Sequence, residues 1–358
     1  MNWKKMIALG AVSCLFFGGC AEQREQAQQI LEINEDETRH EMTTFAMDTV
    51  MTFTIFHEDG EELLTDTEQE IRRLENLLSV TVDNSEVRQL NEKAGKDAVL
   101  VSEDTFTLLQ RGKMLGEETN GAFDIAISPI VKAWGFTEEK KQVPAQETLD
   151  ELLPLTDPAD LLLDENLSTA YLQKEGMAVD LGGIAKGYAS DCVAALLRQK
   201  GVTSALFSLG GNVCAIGTKP TGDLWKVAVA NPLDANDYVG ILDFQDACVI
   251  TSGGYQRYFE EDGKRYHHII DPATGWPAES GLLSVTIVCE DGTRADALST
   301  ALFVMGLEDA LAYWQSQKDF EVIFVTEEGE VIVTEGLEHS FTFEGQDNDF
   351  TCRVVKRG

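Results

Sequence analysis

The chain's chemistry concentrates in the run Asp180-Leu181-Gly182-Gly183-Ile184-Ala185-Lys186-Gly187. Two adjacent glycines let a backbone approach a ligand closely. A short apolar run, Met177 to Val179, comes before them, and the pattern after them predicts a helix to about Lys200. This reads as a strand-to-helix turn. The first N–H groups of a helix have no partners within it, and the macrodipole there favours an anion. Lys186 adds a positive charge close by. The combination makes a phosphate cradle. It fits neither the GxGxxG fingerprint nor the Walker A loop. Taken alone, it is equally a plain tight turn with Lys186 in solvent.

Three more clusters carry useful groups. In Arg294–Thr300, Asp296 and Thr300 are four residues apart and share one helix face. A carboxylate and a hydroxyl together suit a hard cation such as magnesium; simple helix capping by Asp296 is the competing reading. In Tyr266–Gly275, His267 and His268 stand side by side before Asp271-Pro272-Ala273-Thr274-Gly275, which is turn chemistry. Neighbouring strand residues face opposite ways, so one histidine at most faces a given site. That one is a candidate general base or phosphate ligand, or a histidine satisfied within the fold. Gly121-Ala122-Phe123-Asp124, with Ser128-Pro129 and Trp134-Gly135-Phe136 beyond, either holds a flat heterocycle or anchors a loop in the core.

The elements that must position these groups follow from periodicity. Alternation from Thr43 to Phe56 predicts a strand, and apolar residues at Ile71, Leu74, Leu77 and Leu78 predict a helix over Glu68–Leu78. Thr105–Glu118 predicts another helix. The stretch from Thr137 to Asp160, with three prolines, is the most loop-like. Strands are expected at Ala205–Leu209, Trp225–Ala230, Val239–Phe244, Cys248–Thr251 and Leu283–Val288, then a helix from about Ala295, then strands at Val322–Val325 and Val331–Val333. Strands this close in sequence favour an antiparallel sheet with helices packed on it, an α+β domain.

The N-terminus reads as a targeting signal. Lys4 and Lys5 precede an apolar run from Met6 to Phe17, then Gly18, Gly19 and Cys20. Residues 1–19 are expected to be a cleaved lipoprotein signal, Cys20 the lipidated residue, residues 20–38 a polar tether and residues 39–358 the working domain. With 28 basic and 62 acidic residues the net charge is −34, which argues against nucleic acid or an anionic membrane as a partner surface. A phosphate ligand then needs local positive charge or a metal. Beyond Cys14 and Cys20, the cysteines Cys192, Cys214, Cys248, Cys289 and Cys352 form no CxxC pair and do not look like a disulfide framework or a zinc site.

In combination the motifs resemble the ApbE family, the FAD:protein FMN transferases. The resemblance rests on Met47-Asp48-Thr49, Gly121–Asp124, Asp180–Gly187, Ser208-Leu-Gly-Gly-Asn212, Thr251-Ser-Gly-Gly254, His268–Gly275 and Ala295–Thr300, in order, over nearly all of the chain after the tether. It implies an α+β fold of mainly antiparallel sheets with packed helices, in an ApbE-like, T-fold-related architecture. It implies FAD as substrate, Mg2+ as cofactor, and transfer of FMN to a Thr or Ser hydroxyl of another protein with release of AMP. By the same resemblance, Asp296, Thr300, Ser299 and the Gly183 carbonyl hold the metal, and Asp180 and Lys186 contact FAD. Met47, Ala122, Phe123 and Asp124 surround the flavin or adenine, Ile270 offers a backbone contact, and His268 takes the proton of the acceptor hydroxyl. The acceptor class is an exported or membrane-bound redox protein. Asp48 departs from the glycine common in the family, and Thr81 stands where many members carry an aromatic. A hydrolase that gives FMN and AMP, or a flavin-binding lipoprotein without chemistry, are the rival readings.

Overall fold

The computed structural model describes residues 38–136 and 140–358. The expected signal, Cys20 and most of the tether lie outside the described residues. A nine-stranded sheet forms the middle of the domain. Its strands are β1 (Arg39–Ala46), β2 (Thr49–Phe56), β3 (Ala205–Leu209), β4 (Asn212–Ile216), β5 (Cys248–Gly253), β6 (Leu282–Cys289), β7 (Phe320–Thr326), β8 (Glu330–Thr334) and β9 (Thr351–Val355). They lie side by side in chain order, all antiparallel except the β8–β9 pair. The α+β reading therefore holds.

Helices cover one face: α1 (Gly60–Leu78), α2 (Glu103–Glu118), α3 (Ala185–Gln199) and α4 (Gly292–Ser316). In α1 the buried residues Leu63, Thr67, Ile71, Leu74 and Leu78 recur at helical spacing. They pack with Met51, Phe53 and Ile55 of β2 and Phe207 of β3 in the main core. The other face is covered by a three-stranded sheet, Trp225–Asn231, Asp234–Phe244 and Phe341–Phe343. There Trp225, Val239 and Leu242 meet Ile323, Val325 and Val331. β7 is thus buried on both faces, with Val322 and Phe324 on the helix side and Ile323 and Val325 on the other. This explains its unbroken apolar run.

Four expectations need correction. Thr43–Phe56 is a hairpin rather than one strand: β1 and β2 join through Met47 and Asp48, both at positive φ (48° and 60°). Such a two-residue turn matches the twist of the flanking strands. Alternation alone does not reveal it because the apolar residues Phe45, Met47, Met51, Phe53 and Ile55 keep odd numbers throughout, although the buried side changes from even positions in β1 to odd positions in β2. Met177–Val179 is not a strand; Ala178 makes a single parallel bridge to Ile127. The proline-rich stretch contains a helix, Gln146–Leu152, whose Leu149 is fully buried. Finally, Cys214 and Cys248, directly opposite on β4 and β5, form a disulfide. Their separation of 34 residues hid the pairing, which only the sheet register creates. Among the described residues no helix is long and apolar enough to cross a membrane.

Candidate active site

The glycine-rich turn is held from both sides. The Asp180 N–H donates to the Ile125 carbonyl at 2.8 Å, and the Asp180 carboxylate accepts the Gly182 N–H at 2.8 Å. Beneath the turn lies the Phe123 ring. A Cβ added at Gly183 would sit 3.1 Å from it, so a larger residue here would press on the ring. Phe123 is buried in the main core and acts as a floor rather than an open stacking surface. Helix α3 then starts at Ala185, so Lys186 stands in its first turn. Its ammonium donates to the Gly182 carbonyl at 3.4 Å and lies 3.7 Å from Asp296 Oδ1.

Asp296 does not cap its helix. Helix α4 begins three residues earlier than expected, and Asp291 is the cap, accepting the Arg294 N–H at 2.8 Å. Asp296 is buried, and its Oδ2 accepts the Gly187 N–H of α3 at 2.8 Å. A buried carboxylate must be hydrogen-bonded and paired to be tolerated; Gly187 and Lys186 do this, leaving Oδ1 on the Lys186 side. Beside it, Ser252 of β5 meets the Ser299 hydroxyl at 2.7 Å and the Thr300 hydroxyl at 3.2 Å. The Ser299 hydroxyl also donates to the Asp296 carbonyl at 2.8 Å. The sequence motif contained Ser252, but no spacing rule links it to Thr300. Only the β5–α4 contact does.

Helices α3 and α4 touch backbone to backbone here. A Cβ on Gly187 would lie 2.1 Å from the Gly292 carbonyl oxygen and 2.7 Å from Asp296 Cβ. Gly→Ala inside a helix normally gains up to ~1 kcal/mol. The collision with fixed backbone outweighs this, and we expect Gly187→Ala to lower the unfolding free energy by about 2 kcal/mol, measured by urea titration.

The two histidines face apart, as expected. The His267 ring packs edge-on against Phe303, with its Nε2 3.1 Å from the Ala278 carbonyl. His268, just past the strand Lys264–His267, places Nδ1 3.1 Å from the Arg257 carbonyl, which also accepts the His268 N–H at 3.1 Å. A carbonyl can only accept, so Nδ1 carries the proton and Nε2 is left as the free base. Burial first, then the Arg257 guanidinium, push the His268 ring down to about 4; Lys186 contributes in the same direction. His268 is therefore neutral near pH 7. The turn after it is self-braced: the Asp271 carboxylate accepts the Ala273 N–H at 2.9 Å and the Thr274 hydroxyl at 3.1 Å. Trp134 Nε1 donates to the Gly275 carbonyl at 2.7 Å. Ile270 is buried in a satellite cluster with Trp134, Phe136 and Leu149.

The hairpin tip closes on the same loop. Asp48, in the left-handed region that Asp tolerates better than most residues, pairs its carboxylate with Arg257 at 3.6 Å. The Met47 N–H donates to Glu75 of α1 at 2.6 Å. Arg257 and Glu75 escaped the sequence reading because nothing local distinguishes them from other surface charges. Asp124 accepts the Ala126 N–H at 2.7 Å, and burial pushes its carboxyl up to about 7. Ala122 is half-buried against the main core.

The donors around Asp296 are all oxygens: one carboxylate, the hydroxyls of Ser252 and Thr300, and the Gly182 carbonyl across Lys186. That set fits a hard cation. It holds a single carboxylate, and among the described residues no group of three His, Cys, Asp or Glu side chains converges as a metal site.

A Gly-Gly cradle opening α3, an oxygen-rich corner on α4 and a neutral histidine on the facing loop define the arrangement. Residues 47–324 match the ApbE family, and the chain belongs to that family. It is 40% identical over 267 residues to the FAD:protein FMN transferase of Klebsiella pneumoniae (strain 342), covering 74% of this chain and 83% of that protein. It is 36% identical over 296 residues to the FAD:protein FMN transferase of Treponema pallidum (strain Nichols), covering 78% and 80%. Among solved structures, the ApbE protein of Thermotoga maritima superposes with a TM-score of 0.79 at 33% identity, covering 84% of this chain and 99% of that one.

Proposed function

We propose that the protein transfers FMN from FAD to a Thr or Ser hydroxyl of another protein and releases AMP, with Mg2+ as cofactor. Membership of the ApbE family and relatives named for that reaction support the class of chemistry. The observation that carries it to these residues is the neutral His268, with Nδ1 committed to the Arg257 carbonyl and Nε2 free. A protein that only stored flavin would need the cradle and not this base.

The proposed reaction is a phosphoryl-type transfer. The acceptor oxygen bonds to the FMN phosphorus, the bond from that phosphorus to the bridging oxygen breaks, and AMP leaves with that oxygen. The acceptor proton passes to His268 Nε2. Such reactions depend on positioning and charge neutralisation more than on covalent help. Lys186 and the N–H groups opening α3 bind the pyrophosphate. Asp296 and Thr300, with the Gly183 carbonyl, would hold Mg2+; when bound, it supplies positive charge to the pyrophosphate. The Ser299 hydroxyl is already engaged by Asp296 and Ser252, so in this reading it supports Thr300 and Asp296. Asp180 braces the turn. Met47, Ala122, Phe123 and Ile270 shape the flavin or adenine pocket. Asp124, titrating near neutrality, offers either a donor or an acceptor to a heterocycle. The same proposal includes export, lipid attachment at Cys20, residues 20–38 as tether and an exported redox protein as acceptor.

The test is mass spectrometry of a candidate acceptor after incubation with the chain from residue 38, FAD and Mg2+. An FMN adduct on Thr or Ser, lost on chelation, is the expected result. FMN and AMP free in solution with every acceptor tried would make the protein a hydrolase, and intact FAD a binding protein.

A further inference from the structure

The α3–α4 crossing that presents Asp296 has a pin which no part of the reaction uses. Asp191 lies one helical turn after Gly187 on α3. Its Oδ1 accepts the Gly292 N–H at 2.7 Å, and its Oδ2 accepts the Thr293 N–H at 2.8 Å and the Thr293 hydroxyl at 2.5 Å. Arg111 of α2 stands 4.0 Å from the same carboxylate and pairs with Asp291. One side chain of α3 thus holds the first two N–H groups of α4.

These contacts fix where α4 starts, and Asp296 follows within the next turn. Gly187 and Gly292 meet so closely that neither tolerates a Cβ: one on Gly292 would lie 2.9 Å from both Asp191 Oδ1 and the Gly187 carbonyl oxygen. The Gly187 N–H to Asp296 Oδ2 bond depends on that approach. Asp291 caps the same helix at another N–H. It binds the Arg294 N–H from within its own chain segment and neither of the N–H groups that Asp191 holds, and Arg111 of α2 is shared between the two carboxylates.

We propose that Asp191 is a positioning residue for the cation site: it sets the register of α4 on α3 and so aims Asp296 Oδ1 into the cradle. This rests on the magnesium reading of Asp296 and Thr300. Groups behind metal ligands typically carry a tenfold to hundredfold effect on metal affinity. In Asp191→Asn one acceptor becomes a donor that opposes an N–H, so the clamp opens while the side chain keeps its size. Asp291→Asn weakens the cap and leaves the clamp.

The experiment is Mn2+ binding followed by electron paramagnetic resonance, without FAD or acceptor, on wild type and both variants, alongside thermal unfolding. Steady-state transfer is then measured across Mg2+ concentrations. The expected result for Asp191→Asn is Mn2+ affinity weaker by roughly tenfold or more, and a matching rise in the Mg2+ needed for half-maximal rate, with kcat recovering at saturation. Asp291→Asn should lower the melting temperature and leave Mn2+ affinity unchanged. Equal Mn2+ affinity in Asp191→Asn and wild type overturns the proposal, as does an equal loss in both variants, which would make the effect general helix fraying. Wild type that binds no Mn2+ overturns the magnesium reading itself, a separate outcome.

Discussion

Asp296→Ala is expected to reduce FMN transfer on the order of a thousandfold, equivalent to ~4 kcal/mol of transition-state stabilisation. Three consequences of one truncation combine here. The only carboxylate in the oxygen-rich corner disappears, and with it the charge that attracts a divalent cation. The buried Gly187 N–H loses its acceptor, at about 1–3 kcal/mol. Lys186 loses the anion 3.7 Å away and swings free of the first turn of α3. Asp296→Asn separates these effects, because an amide oxygen still accepts from Gly187 but carries no charge. Transfer should fall nearly as far in Asn as in Ala, while thermal stability falls in Ala alone. A variant Asn enzyme with more than a tenth of wild-type activity at saturating Mg2+ would show that the charge of Asp296 is not what the reaction needs.

Much of this arrangement was legible in the sequence, for identifiable reasons. The cradle was legible because its parts are contiguous: Gly182, Gly183 and Lys186 lie within five residues. Asp296 and Thr300 were legible because helical spacing puts them on one face. The histidine pair was legible because strand alternation separates His267 from His268. Contacts between elements far apart in the chain were hidden. Ser252 meets Thr300 across 48 residues, Asp191 meets Gly292 across 101, and Arg111 meets Asp291 across 180. Cys214 and Cys248 pair because β4 and β5 are neighbours, although two strands of the three-stranded sheet, Trp225–Asn231 and Asp234–Phe244, separate them in sequence. The Met47–Asp48 turn was hidden for another reason. Neither residue is a glycine, and the contact that holds the Met47 N–H comes from Glu75 of α1, 28 residues away.

His268→Gln is expected to lower kcat by about a hundredfold to ten-thousandfold, the usual range for a general base, with little change in FAD affinity. The residual rate would come from Lys186, Asp296 and the helix opening, which the substitution leaves in place. The pH dependence makes the sharper test. His268 is active when neutral, and its ring is pushed down to about 4 by burial, Arg257 and Lys186. In wild type kcat/KM should therefore be level from pH 8 to about 5, then fall tenfold per unit below about 4; in His268→Gln that limb should be absent. Bound FAD brings a negative pyrophosphate towards Lys186 and opposes the two cations, so the limb in kcat should lie at higher pH than the limb in kcat/KM. Stability carries the same sign. Folding holds the ring below its ordinary 6.5, so the unfolded chain binds more protons between about 4 and 6.5. The His268 contribution is then complete above 6.5 and is lost as pH falls through that window. A kcat/KM limb at 6.5 in wild type would mean that the ring is solvated and free of Arg257.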